Sequence, residues 1–310
     1  MTPDEWLKKY VTILTDLGDK TSKSEATISY GPHTLLKIIA VYYYAEMFAK
    51  IAKGEKARSR GYDAAVYLDL FAGPGLVAVD GIGDFVAGSP IAATSTKYKF
   101  DYSIFVEIDE DRAEALRKRL SQYLTQDRFE VLTGDSNAIV PEIISKIKSK
   151  CKKPIVFAFI DPQGMEAKWS TAKQLSAGFK SLDFMINVTS GAARVAGRIQ
   201  SGKVGDRPIF EDFFGQNAEE ILTKINNGVR VEAIFEDGVK DVLGRPQGET
   251  ISICDSGNRV MYHLLCYTRE SWTGSPWAQG FRELKKQIEL ADGVSVRRML
   301  DVVRKRQSPL

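Results

Sequence analysis

Four carboxylates stand at the ends of four apolar runs, in an order regular enough to suggest a binding edge. Val66-Tyr-Leu-Asp69 opens into Leu-Phe71-Ala72-Gly73-Pro-Gly75, and Ser103-Ile-Phe-Val-Glu107 is followed by Ile108 and Asp109. Phe129-Glu-Val-Leu-Thr-Gly-Asp135 precedes Ser136 and Asn137, and the run from Ile155 to Ile160 leads into Asp161-Pro162-Gln163-Gly164. A buried parallel strand delivers its carboxyl end to a ligand in this way. Gly73 and Gly75 lack a Cβ, so the turn can be tight and the backbone can approach a bound molecule. One such acid is as readily a helix cap as a ligand group. Four in succession form a row of acceptors suited to ammonium, hydroxyl and amino groups.

Two ligand classes fit the first turn. Gly73-Pro-Gly75-Leu-Val-Ala78 matches the dinucleotide fingerprint G-x-G-x-x-A, which needs a helix opening at the glycines and an acid about 20 residues on. Here Val79 to Val86 reads as loop, the first helix start is Ser89-Pro90, and Glu107 lies too far downstream. S-adenosylmethionine (SAM) fits better: Asp69 near the amino-acid end, Glu107 on the ribose hydroxyls, Asp135 accepting from the adenine amino group. The expected cofactor set is Asp69, Phe71, Ala72, Gly73, Gly75, Glu107, Ile108, Asp135 and Ser136. A nicotinamide oxidoreductase stands as the alternative.

These motifs resemble those of class I SAM-dependent methyltransferases and, more narrowly, the bacterial three-Cys-motif partner proteins. The resemblance rests on Asp69–Gly75, Gly88-Ser-Pro90, Val106-Glu-Ile-Asp109 and Phe159-Ile-Asp-Pro-Gln-Gly164, with His33 and Lys37 opening an earlier helix. It extends weakly to Asp212-Phe-Phe-Gly215 and Tyr262-His-Leu-Leu-Cys266. It implies a doubly wound Rossmann-like sheet closed by a β-hairpin, and a neighbouring cysteine-motif protein of radical-SAM type as partner. Asp161-Pro-Gln-Gly164 is also similar to the motif of amine-directed nucleic-acid methyltransferases, although Gln163 stands where an apolar or aromatic residue is usual.

The expected catalytic set is therefore Asp161, Pro162, Gln163 and Gly164. Asp161 and the Pro162 carbonyl would accept the two hydrogens of an exocyclic amine on a nucleic-acid base, keeping the nitrogen lone pair free. The site then works by positioning and electrostatic complementarity. No cysteine lies in this loop, which argues against covalent attack on a pyrimidine carbon. Two alternatives accompany this reading: Asp161 as a turn cap on Gly164, and the whole chain as a non-catalytic SAM-fold partner subunit.

Strands expected at 65–70, 102–108, 129–133, 154–160 and 183–188 alternate with helices at 89–97, 110–124, 137–149 and near 170–176. Such alternation gives a parallel sheet with right-handed crossovers. Before it lie a short amphipathic helix over Pro3–Leu17, a loop over Asp16–Tyr30, a core helix over Thr34–Lys53 and a basic linker over Lys53–Arg60. After it, Val229–Phe235 and Thr250–Cys254 alternate like strands, Asp255-Ser-Gly-Asn258 signals a hairpin turn, and Arg259–Arg269 resumes a strand. The expected division is a helical extension over 1–60, the SAM-binding domain over 61–270 with an insertion at about 190–240, and a helical extension over 271–310. An insertion after strand five overhangs the ligand face and is a candidate substrate cover.

Composition fits a globular protein: 310 residues, 44% hydrophobic, 27% charged, net charge +3. That charge neither requires nor excludes nucleic acid. Cys151, Cys254 and Cys266 form no C-x-x-C pair, and with only His33 and His263 there is no metal-ligand spacing. No apolar run reaches the ~20 residues of a membrane span and no signal-peptide pattern opens the chain, so the expected location is the cytoplasm. Oligomeric state is not encoded in any motif.

Overall fold

The computed structural model describes residues 1–269 and 276–305. Ten strands occur among them: β1 (Ile28–Tyr30), β2 (Ala64–Asp69), β3 (Leu76–Val79), β4 (Phe85–Ala87), β5 (Tyr102–Glu107), β6 (Phe129–Thr133), β7 (Pro154–Ile160), β8 (Leu182–Thr189), β9 (Gln247–Cys254) and β10 (Val260–Thr268). Seven form one sheet in the order β6-β5-β2-β7-β8-β10-β9, parallel except that β10 runs antiparallel to both neighbours. The fold is a doubly wound Rossmann-like α/β sheet closed by the β9–β10 hairpin.

The chain builds β2, steps outward through β5 and β6, then returns to place β7 on the other side of β2. Strand order therefore reverses between β2 and β7, with Asp69 opposite Phe159 at the tips. In open sheets the crevice beyond such a reversal is where ligands bind. The central strands are almost wholly buried because both faces carry helices.

The helix Thr34–Ala52 lies on one face, with Tyr44 and Phe48 sealed against Phe157 at ring distances of 5.0 and 5.6 Å. Tyr42 and Tyr44 are buried and Tyr43 is partly so. On the other face, helices Ser136–Lys150 and Trp169–Gly178 join the insertion. Phe213 and Trp169 meet Phe235 at 5.0 and 5.1 Å. Gly215 sits at φ +64°, where a Cβ would lie 2.1 Å from Trp169. The Asp212-Phe-Phe-Gly215 run is therefore a packing device.

Four expectations need correction. Val229–Phe235 is not a strand: Val231–Asp241 is a helix burying Val231, Ile234, Phe235, Gly238 and Val239. Over so short a run, alternation and the three-to-four-residue helical spacing overlap, and the longer pattern wins. Val79–Val86 is not a simple loop: β3 and β4 pair antiparallel around Gly81 and Gly83, both at positive φ, and β1 pairs parallel to β3. The assumed loop over Asp16–Tyr30 therefore ends in a strand, and the assumed linker contains a helix, Glu55–Ser59. At the chain ends, Arg298 pairs with Asp4 at 3.0 Å, and Arg304 with Asp19 and Asp84 at 2.9 and 3.1 Å. These basic residues tie the last described helix, Gly293–Val303, to the first helix, Pro3–Lys20.

Candidate functional site

Beyond the tips of β2, β5, β6 and β7 opens a cavity of about 260 Å³. Its floor is the turn after β2. Gly73 and Gly75 hold φ +62° and +80°, and a Cβ at Gly73 would meet nothing within 4 Å, so the backbone there faces open space. Gly75 is pressed from behind, where a Cβ would lie 2.8 Å from Leu116. The turn is pinned by Arg119, wholly buried, whose guanidinium donates to the carbonyls of Pro74 (2.7 Å), Ala26 (2.6 Å) and Ser22 (3.0 Å). This link joins the N-terminal segment to the glycine turn, and the local sequence gives no sign of it.

The cavity brings together most of the expected cofactor set. Phe71, Ala72, Gly73, Gly75, Glu107 and Ile108 line it, as do Asp135 and Ser136. Glu107 is 7% exposed; its Oε1 accepts from the Asp109 amide at 3.0 Å, and among the described residues Oε2 takes no hydrogen bond. Ile108 is 70% exposed, an apolar side chain at the rim. Asp135 also caps the following helix, accepting from the Asn137 amide at 2.9 Å, so one of its oxygens serves the fold. Ser136 donates to the Leu70 carbonyl and ties that helix start to the turn.

Asp69 is the member not brought to the wall. It is fully buried, accepts from Tyr67 Oη at 3.0 Å and from the Phe71 amide at 3.4 Å, and burial pushes its carboxyl up to about 7. The carboxylate therefore holds the backbone that lines the cavity, in place of the direct ammonium contact expected from sequence.

Asp161 lies at the junction between this cavity and a second of about 630 Å³, and Tyr30, Thr34, Lys37 and Gln163 are shared with it. Lys37 Nζ sits 2.8 Å from Asp161 Oδ1 and 2.7 Å from Oδ2, with 13% and 15% of the two side chains exposed. The same ammonium lies 4.9 Å from the centre of the Tyr262 ring, a cation–π contact. Asn187, from β8, donates through Nδ2 to Asp161 Oδ1 at 2.7 Å and to the Pro162 carbonyl at 3.3 Å.

The turn-cap alternative for Asp161 does not hold, because the Gly164 amide donates to Glu166 at 2.6 Å instead. Of the expected catalytic set, Asp161, Pro162 and Gln163 reach the second cavity and Gly164 does not line it. Gln163 donates to Tyr30 Oη at 3.0 Å, a role its polarity suits where an aromatic residue would not. Burial raises the Tyr30 phenol and lowers the His33 imidazole, so both are neutral near pH 7. Among the described residues of the insertion, its start lines this cavity through Ser190 and the exposed Arg194.

Among the described residues no group of three or more His, Cys, Asp or Glu is arranged to hold a metal ion, and no helix is long and apolar enough to cross a membrane. No family model matches the chain, and neither does any curated protein. Solved structures do. A candidate caffeoyl-CoA O-methyltransferase from Staphylococcus aureus covers 86% of this chain and 93% of its own, at 10% identity and a TM-score of 0.38. A candidate methyltransferase from Escherichia coli covers 72% and 85% at 14% identity and 0.34, and a candidate RNA methyltransferase from Pyrococcus horikoshii covers 73% and 84% at 12% and 0.33. The strand order, and not likeness at such scores, defines the fold.

Proposed function

We propose that the chain is a SAM-dependent methyltransferase whose acceptor is an amine of a nucleic-acid base. The observation that carries the reading is the junction itself: a cavity edged by strand-tip acids meets a second cavity at Asp161, Lys37 and Gln163. The residues suit the cofactor. Gly73 leaves backbone open to the methionine end, Glu107 offers a free carboxylate oxygen to ribose hydroxyls, and Ile108 offers apolar contact to adenine. When bound, SAM supplies a sulfonium-activated methyl group, so the protein needs neither a covalent nucleophile nor a strong base. Asp161 would accept an acceptor N–H and hold the amine in line, a positioning contribution. Lys37 pairs with the carboxylate and fixes its orientation, as a charge-assisted hydrogen bond does.

One observation favours the second reading, a SAM-fold partner subunit of a cysteine-motif protein. Asp161 and the Pro162 carbonyl are already engaged by Lys37 and Asn187. Methyl transfer from tritiated SAM to DNA and RNA, measured with the chain alone, decides between them. Label incorporation that disappears in Asp161→Ala supports the enzyme. SAM binding without incorporation supports the subunit.

A further inference from the structure

Asn187 is 5% exposed and its Oδ1 is buried with no hydrogen-bond partner, one of few such atoms among the described residues. Leaving a buried carboxamide oxygen without a donor forfeits the hydrogen bonds it makes in water. Turning the amide over would not relieve this, because Oδ1 would then face the Asp161 carboxylate and the Pro162 carbonyl, acceptors both. The side chain is thus locked with its donor spent and its acceptor unused, on the wall of the 630 Å³ cavity.

Asp161 tells the same story. A carboxylate has about four acceptor positions. Lys37 takes one on each oxygen and Asn187 a second on Oδ1, which leaves one on Oδ2. Asp161 Oδ2 keeps one acceptor position and Asn187 Oδ1 has no donor, and an amino group brings two N–H bonds.

We propose that Asn187 is a specificity-determining residue for the acceptor: its Oδ1 receives an N–H of an amino-bearing base and disfavours the keto counterpart, whose oxygen would meet two acceptors. The inference rests on the acceptor site proposed above and refines it, since Asn187 shares with Asp161 the role first expected of the Pro162 carbonyl.

The test is calorimetric titration of cytidine, uridine, adenosine and inosine into the full chain, with and without S-adenosylhomocysteine. The expected result is amino over keto by about tenfold or more, the scale of one well-placed hydrogen bond. In Asn187→Ala the ratio should collapse to within about twofold while S-adenosylhomocysteine affinity is kept; Asn187→Leu, which refills the space, guards against misfolding. A wild-type ratio near one, a ratio unchanged in the variants, or no nucleoside binding overturns the inference even if S-adenosylhomocysteine binds. Loss of S-adenosylhomocysteine binding in the wild type, with discrimination intact, overturns the cofactor reading and leaves this inference standing.

Discussion

The two acids at the strand reversal, Asp69 and Asp161, end neighbouring parallel strands and look alike in sequence, yet their surroundings make them opposites. Asp69 has no exposure and only neutral partners, and its carboxyl is pushed up to about 7 by burial. Asp161 keeps 15% of its side chain exposed, faces an ammonium at 2.7 Å and lies where two cavities join. A carboxyl sealed among hydroxyls costs desolvation and serves shape. A carboxylate paired with a cation at a cavity edge is held in one orientation and can address a ligand. Strand-tip position is common to both; the difference is the partner that a distant segment delivers.

Substituting Asp161 probes the comparison most strongly. Asp161→Ala should lower single-turnover methyl transfer by about 100-fold or more, the scale of losing a preorganised polar contact, with SAM affinity within a few-fold. Asp161→Asn, which keeps the shape but leaves the Lys37 ammonium unpaired, should lose stability on the scale of Lys37→Met and so separates stability from chemistry. Full activity in a stable Asp161→Ala protein would remove the residue from the site.

Lys37→Met comes next. It leaves a mostly buried carboxylate without its cation, and urea unfolding should register a loss of about 2 kcal/mol, below the fully buried case because both groups are partly exposed. An unchanged midpoint would mean that the pair is worth no more than a surface ion pair.

Asp69 gives the most gradual effect, spread over several pH units. Its carboxyl is held above its usual 3.8, so the neutral form is the one the fold favours. Its stabilisation is fully present below pH 3.8 and is lost as pH rises through about 7. The slope is at most about 1.4 kcal/mol per pH unit for one group. Asp69→Asn should remove that slope, so that the stability difference from wild type changes with pH across the window without weakening SAM, as urea unfolding from pH 4.5 to 8 would read. Asp183, raised to about 6 by burial, remains in both proteins and cancels in the difference. A parallel pair of pH profiles would contradict the burial argument.

The sheet was legible because each central strand is a short apolar run ending in an acid and a turn, and β6 and β7 match their expected bounds. The cavity floor was legible for the same reason, since Gly73, Glu107 and Asp135 are local signals. The partners were not. Lys37 lies 124 positions from Asp161 and Arg119 lies 45 from Pro74. Spacing along the chain cannot say that the helix Thr34–Ala52 ends its first turn over the tip of β7. A lysine in the first turn of an otherwise apolar helix was the one available hint, and it entered only through the family resemblance. Asn187 gave no hint, because a polar residue in an apolar strand is as readily a satisfied core amide.

The claim that organises everything else is that SAM occupies the cavity beyond β2 and β5 with its ribose on Glu107. Titration calorimetry of SAM into wild type and Glu107→Ala, with NADH as the competing ligand class, tests it directly. The account predicts saturable SAM binding, no NADH binding, and a loss of about 1–3 kcal/mol in the variant, as expected for removing a hydrogen bond to a charged acceptor. Failure of the wild type to bind SAM, preference for NADH, or an unchanged SAM affinity in Glu107→Ala would contradict it.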